Sequence, residues 1–237
     1  MIEKNIFQSW YTTKLPEPIQ KKVQHYKTLN PEYEYHLYTD ADMDLFVNTH
    51  YPGEIAECYN RLNIIVAKVD FWRYLVLYHF GGVYLDMDSS IEAPLKDLIQ
   101  DDDTAIISAE ANPGTYVQWA LIFQKNHPIL KRTIEMVVDN IKKNRFPNDI
   151  LRMTGPFVYS CAINSVHQQL FDGTTINHAS IKRDTDMKYS SNNVSYRLFG
   201  IDYGRFFRFR HDAHTLLYSD KPDWRMEQRI KPLLLLL

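Results

Sequence analysis

Glycine and cysteine are scarce in this chain, with eight and two residues among 237. Cys58 and Cys161 stand far apart, so there is no disulfide framework and no Cys-x-x-Cys pair, and both are read as reduced thiols. The few glycines form neither Gly-x-Gly-x-x-Gly nor a P-loop, which excludes phosphate binding on a glycine cradle. A charge excess is missing too: 27 Lys and Arg against 29 Asp and Glu leave a formal net charge of −2, so no basic field points to nucleic acid. No run approaches the ~18 consecutive apolar residues that span a bilayer, and the N-terminus lacks the apolar stretch of a secretory signal. The Asn193-Val194-Ser195 sequon is therefore one in form only. There is no repeat, linker or low-complexity block apart from the terminal Leu233–Leu237. That leucine run is too short to span a bilayer and is read as a disordered tail or a weak peripheral contact to a membrane. Sixteen Tyr and four Trp are plentiful by contrast. Their rings stack on sugars and bases, or simply fill a core.

The most informative stretch is Lys68 to Ser89. A mostly apolar helical run carries two opposite charges, Asp70 and Arg73, three apart and so on one face. Charges in so apolar a helix are expensive unless paired or used. An Asp70–Arg73 bridge that only braces the helix and one that fixes a ligand-binding arginine are both open readings. The helix stops at Gly81-Gly82, where a left-handed helix end is expected. A short strand, Val83 to Leu85, then delivers Asp86 and Asp88, which alternation puts on one side with Met87 pointing away. Paired carboxylates are oxygen ligands for a hard divalent cation and its bound phosphates. The C-terminal edge of a strand is also where open α/β sheets bind ligands.

Along the chain, strands are expected at 2–8, 35–38 and 104–109, and helices from 16 to about 28, 41–48, 53–60, 62–80, 128–143 and 157–170. Asp40 is the expected cap of the third helix-forming stretch's predecessor at 41–48. Residues 117–123 read as strand or helix, and the last seventy as short strands and loops. The helix at 62–80 is apolar almost all round and should be deeply buried. This alternation predicts a Rossmann-like α/β sheet, mostly parallel and flanked by helices.

The order Asp70-x-x-Arg73, then Leu-x-x-Gly-Gly-x-Tyr-Leu-Asp-x-Asp, resembles the glycosyltransferase sugar-binding region containing a DXD motif. That group, glycosyltransferase family 32, holds yeast α-1,6-mannosyltransferase-like enzymes and bacterial capsule or lipopolysaccharide transferases of polysaccharide biosynthesis. More distantly the stretch is similar to the glucosylating domain of large clostridial toxins. Asn5-Ile6-Phe7-Gln8-Ser9-Trp10 fits the family's first strand, with Phe7 where a His is usual. Residues 30–38 fit the second strand and Thr154-Gly155-Pro156 a downstream motif. The resemblance is firm over roughly residues 1–110 and looser beyond.

The resemblance implies a GT-A fold: one domain over residues 1–237, with a nucleotide-sugar-binding half (1–110) and an acceptor-side half (111–237). It implies a metal-dependent transferase that moves a hexose, with retention, from a UDP- or GDP-hexose to a saccharide or glycolipid acceptor. Mn²⁺ or Mg²⁺ would bridge the diphosphate. Asp88 is the expected direct metal ligand, and Asp86 the contact to the donor's ribose or a metal-bound water. Asp70 and Arg73 would hold the donor sugar's hydroxyls, with Arg73 also in reach of a phosphate. Tyr84, Gln8, Ser9 and Trp10 are further candidate donor contacts; a core role for Trp10 stays open. His211 and His214 compete as a further metal ligand, with Trp224 closing that side, and a structural zinc site is the alternative for the histidines. Acceptor contacts are expected in the second half, near Thr154-Gly155-Pro156. Eukaryotic members of the family are typically Golgi-anchored, so a cytoplasmic bacterial or viral member, or a shortened chain, is expected. A nucleotide-sugar hydrolase, a nucleotidyltransferase and a non-enzymatic sugar-nucleotide binder are the other classes left open by the same carboxylates.

Overall fold

In the computed structural model, residues 1–192, 194–204, 206–209 and 224–235 are described. The chain opens with β1 (Asn5–Ser9), α1 (Glu17–Leu29) and β2 (Glu34–Tyr38), a crossover unit whose two strands pair in parallel. Proline in the first turn of α1 fits because N–H groups there have no helical partner. α2 (Asp40–His50) starts one residue earlier than its pattern suggests. Its cap is Thr39, not Asp40: the Thr39 hydroxyl accepts from the Asp42 N–H, while the Asp42 carboxylate accepts from the Thr39 N–H at 2.9 Å. α3 (Glu54–Arg61) and α4 (Ile65–Phe80) follow, and α4 is buried along its length from Asp70 to Leu77.

Gly81 caps α4 with a positive φ, and β3 (Gly82–Leu85) begins at once. A side chain at Gly82 would place its Cβ 2.6 Å from the Asn5 carbonyl oxygen, so glycine lets β3 lie directly against β1. The strand ends at Leu85. Residues 86–89 make a tight turn, closed by the Ser89 N–H on the Asp86 carbonyl at 3.1 Å. The extended alternation expected through Asp86 and Asp88 is replaced by this turn.

Next come β4 (Ser89–Ile91), β5 (Ala105–Ser108), β6 (Ala120–Phe123), α5 (Pro128–Lys142), α6 (Ile150–Met153) and α7 (Pro156–Leu170). The described part closes with β7 (Asp186–Ser191), β8 (Val194–Phe199), β9 (Phe207–Phe209) and α8 (Trp224–Ile230). Seven strands form one sheet in the order β2-β1-β3-β6-β5-β8-β7, and β4 pairs with β9 beside it. β1, β2, β3, β5 and β8 all run one way, while β6 and β7 run against them. The sheet is thus mixed, and the ends of β1, β3, β5 and β8 share one edge with the start of β6.

Side chains alternate into two cores, one on each face of the sheet. Tyr84, Leu121, Phe123, Ala105 and Ile107 face the core built with α4, α5 and α7. Val83, Leu85, Ala120, Ile122 and Ile106 face the one that holds Tyr26, Ile91, Tyr203 and Phe207. Burial on both faces explains why residues 117–123 were ambiguous in sequence: a strand covered on both sides has no polar face to betray its period. Leu233 and Leu234 are buried in the first core, and their segment pairs with the α3–α4 connection. Leu233 and Leu234 are therefore core residues and not part of a free tail, while Leu235 is exposed and residues 236–237 lie outside the described residues. Among the described residues no helix is long and apolar enough to cross a membrane.

Candidate active site

The common strand edge brings three segments together: the end of β1, the turn after β3 and the residues just before β6. Asp70 and Arg73 approach this edge from α4, one helical turn apart. Their side chains meet at 3.2 Å, and each keeps only 5% of its surface open. The same Arg73 Nη2 lies 3.2 Å from Asp86 Oδ1, so one guanidinium bridges the helix carboxylate and the first DXD carboxylate. Arg73 Nη1 donates to the Gln118 carbonyl at 3.1 Å, and its Cζ sits 4.5 Å from the Tyr84 ring centroid. Its Nε–H is buried without a hydrogen-bond partner among the described residues. Burial pulls the Arg73 pKa down, but Asp86, Tyr84 and Asp70 outweigh it and hold the guanidinium firmly protonated.

Asp86 differs from Asp70 in access. Its side chain keeps 26% of its surface open, against 5% for Asp70. Burial raises the Asp86 pKa to about 6; Arg73 opposes the rise and the nearby Asp88 charge adds to it. Burial also raises Asp70, against the pull of Arg73, Thr154 and Gln118. Asp88 is itself buried, in the turn that follows. Two carboxylates close enough to repel one another are the donor chemistry a hard divalent cation takes, so the pair Asp86 and Asp88 fits such an ion. Among the described residues no group of three or more His, Cys, Asp or Glu side chains is arranged to hold a metal ion. The candidates His211 and His214 lie outside the described residues, while Trp224 is described at the start of α8 and packs against the first core.

Several residues expected to touch a donor also make hydrogen bonds within the protein. Gln8 is fully buried: its Nε2 donates to the carbonyls of Leu85 and Asp86 at 3.3 and 3.4 Å, and its Oε1 accepts from the Tyr35 hydroxyl at 3.0 Å. It therefore fixes the backbone that carries Asp86. Tyr84 is buried too, and its hydroxyl donates to Asp86 Oδ1. Trp10 is buried against Ile19, Val23 and Met87, which realises its core reading, while Tyr11 beside it is exposed. Ser9, at the end of β1, is partly open. Thr154, expected near the acceptor, is fully buried and donates through Oγ1 to Asp70 Oδ2 at 3.2 Å.

Gln118 and Tyr74 were not picked out from the sequence. Gln118 sits two residues before β6, and its Nε2 donates to Asp70 Oδ1 at 3.1 Å and to the Tyr74 hydroxyl at 2.6 Å. The signal that finds it is the buried charge at Asp70, which demands donors from elsewhere.

Residues 16–105 match the family described as the glycosyltransferase sugar-binding region containing DXD motif. The likeness to that family is carried by those residues. The matched region runs from α1 to the start of β5 and includes the Asp70–Arg73 helix and the DXD turn. The chain is 26% identical over 196 residues to an initiation-specific α-1,6-mannosyltransferase of Candida albicans, covering 66% of this chain and 51% of that protein. It is 28% identical over 223 residues to inositol phosphoceramide mannosyltransferase 2 of Schizosaccharomyces pombe, covering 93% of this chain and 62% of that protein. The chain thus spans about half to three fifths of the length of these relatives. Among solved structures it resembles the PaToxG glycosyltransferase with a TM-score of 0.54 at 19% identity, over 70% of this chain and 69% of that one. The shared architecture is the expected GT-A α/β fold. One expectation is corrected here. These relatives of the sugar-binding region are fungal, so the cytoplasmic, bacterial or viral placement does not stand.

Proposed function

We propose that this chain forms the donor-binding and catalytic part of a glycosyltransferase that moves a hexose from a nucleotide-sugar to a saccharide or glycolipid hydroxyl. The observation that carries the reading is the accessible Asp86 carboxylate, paired with Asp88 at the strand edge and bridged by Arg73 to Asp70. The names of the two fungal relatives support mannose as the sugar, and one of them supports an inositol phosphoceramide as a glycolipid acceptor.

Asp86 and Asp88 would hold Mn²⁺ or Mg²⁺. When bound, such an ion supplies Lewis-acid neutralisation of the diphosphate leaving group. The rest belongs to the chain's own residues. Gln8 holds the backbone at Asp86, Tyr84 and Arg73 fix its carboxylate, and the open quarter of that side chain faces the donor. Arg73 adds a buried positive charge where negative charge grows on departure of the sugar. Retention of configuration is carried over as part of the proposal; it asks for either a carboxylate nucleophile or attack from the leaving-group face, and the second route needs no protein base beyond the departing phosphate.

The test is a panel of UDP- and GDP-hexoses with Mn²⁺, scored for donor hydrolysis, transfer and binding. Turnover of one donor that disappears with a chelator and returns with Mn²⁺ is the expected result. Asp88→Asn should lower that turnover at least ~100-fold while the thermal midpoint shifts little. A fully active Asp88→Asn protein would remove the DXD assignment.

A further inference from the structure

We infer that Tyr74 is a positioning residue for the Asp70–Arg73 pair, acting through a closed ring of hydrogen bonds that joins α4, the start of β6 and the α6–α7 turn. The inference rests on reading Asp70, Arg73 and Asp86 as the donor site. Gln118 Nε2 donates to Asp70 Oδ1 at 3.1 Å and to Tyr74 Oη at 2.6 Å. Tyr74 Oη donates to the Thr154 carbonyl at 3.0 Å. Thr154 Oγ1 donates to Asp70 Oδ2 at 3.2 Å, and the ring is closed.

Every member of the ring is buried, so each polar group must be met inside the protein. Packing alone asks only for an aromatic ring at position 74: it stacks on Tyr159 with centroids 5.9 Å apart, and phenylalanine would do the same. The hydroxyl has a separate task. Its one proton goes to the α6–α7 turn, where the Thr154 carbonyl lies at 3.0 Å and the Gly155 carbonyl at 3.3 Å, so its oxygen faces Gln118 as an acceptor. The hydroxyl thus accepts from the same Nε2 that donates to Asp70, which holds the amide in place beside the carboxylate. A flipped amide would set Oε1 against a carboxylate oxygen, acceptor on acceptor. Gln118 also accepts from Arg73 through its carbonyl, so its placement reaches the guanidinium that bridges to Asp86. On the other side, the α6–α7 turn is held tight. A Cβ at Gly155 would lie 2.8 Å from Leu151 Cα, so only glycine lets Thr154 hang over Asp70 at this spacing.

Tyr74→Phe removes one oxygen and keeps the packing. With the donor found by the panel, kcat should fall about tenfold or more, and the affinity for the nucleotide-sugar should fall relative to that for its bare nucleoside diphosphate. Thr154→Val should act alike, and Thr154→Ser, which keeps the hydroxyl, should stay near wild type. A ligand-free readout separates this idea from the functional proposal. In side-chain NMR of ¹⁵N-labelled arginine, with the Arg73 signals assigned by their loss in Arg73→Lys, the guanidinium of wild type should rotate slowly and that of Tyr74→Phe faster. If wild type binds and turns over no nucleotide-sugar, the functional proposal fails while the NMR comparison still decides the ring. Unchanged guanidinium rotation in Tyr74→Phe would overturn the inference. So would a lowered thermal midpoint with wild-type kcat and wild-type sugar preference, since that is the behaviour of a brace alone.

Discussion

At the scale of single residues the decisive feature is geometry around one guanidinium. Arg73 reaches Asp70, Asp86 and the Gln118 carbonyl at once, at 3.1 to 3.2 Å, because its planar fork presents several N–H groups in fixed directions. A lysine carries the same charge on a single atom and cannot bridge these acceptors together. Arg73→Lys should therefore lower donor turnover ~100-fold and destabilise the fold by about 3 kcal/mol, because it leaves buried carboxylate oxygens without donors. Urea unfolding and donor assays check both, and unchanged values in each would reduce the bridge to decoration. The four charged residues of this cluster were legible in sequence because charge stands out in an apolar run. Their supports were not. Gln118 and Thr154 lie 48 and 84 residues from Asp70 in the chain, and Tyr74 looks like any core aromatic. Gln8 and Tyr84 were noticed for the right neighbourhood, yet local pattern could not tell that Gln8 bonds the backbone at Asp86 and Tyr84 the Asp86 carboxylate.

At the scale of elements, helices with strong end signals were readable, and the exceptions have physical causes. α4 and α5 follow from long apolar patterns bounded by glycine or proline. β4 was missed because three residues, Ser-Ser-Ile, carry no period, and its pairing with β9 is set by contacts more than a hundred residues away. α8 was missed because its described residues are largely polar and none is buried. The α5 start holds a pH-sensitive joint. His127 caps the helix: its Nδ1 accepts from the Ile129 N–H at 3.2 Å, so its Nε2 carries the proton and donates to the Ser195 carbonyl at 3.0 Å. Burial pushes its pKa down to about 4, against the pull of the Ser195 carbonyl. An ordinary unfolded histidine titrates near ~6.5. Between these values the unfolded chain binds a proton that the folded one refuses, so stability from this group is present above ~6.5 and is lost as the pH falls toward 4. The full loss is about 3 kcal/mol. His127→Asn keeps a capping acceptor and cannot titrate there. It should flatten the fall in urea midpoint between pH 6.5 and pH 4 relative to wild type, and an identical slope in both proteins would refute the assignment.

At the scale of the whole molecule, the C-terminal leucines show how a local reading fails against tertiary structure. Five leucines after Lys231-Pro232 look like a sticky tail, because nothing nearby in sequence explains them. In the fold, the Asn63 N–H donates to the Leu233 carbonyl and the Leu235 N–H to the Arg61 carbonyl, which clamps the segment onto the α3–α4 connection. Leu233 and Leu234 are then 1% and 7% exposed, inside the core that supports the inner face of α4. Truncating a buried leucine to alanine costs about 2–5 kcal/mol, through lost transfer energy and the cavity left behind. The double variant Leu233→Ala/Leu234→Ala should therefore be destabilised by about 5 kcal/mol, with a clearly lower urea midpoint. Both proteins should sediment equally with lipid vesicles, since the two side chains replaced are turned inward. Vesicle binding by wild type that the double variant loses at unchanged stability would restore the membrane role. The helix that these leucines buttress carries Asp70 and Arg73, so the loss of stability should bring a loss of donor turnover as the temperature is raised. At low temperature the double variant should stay active, because neither leucine touches the site.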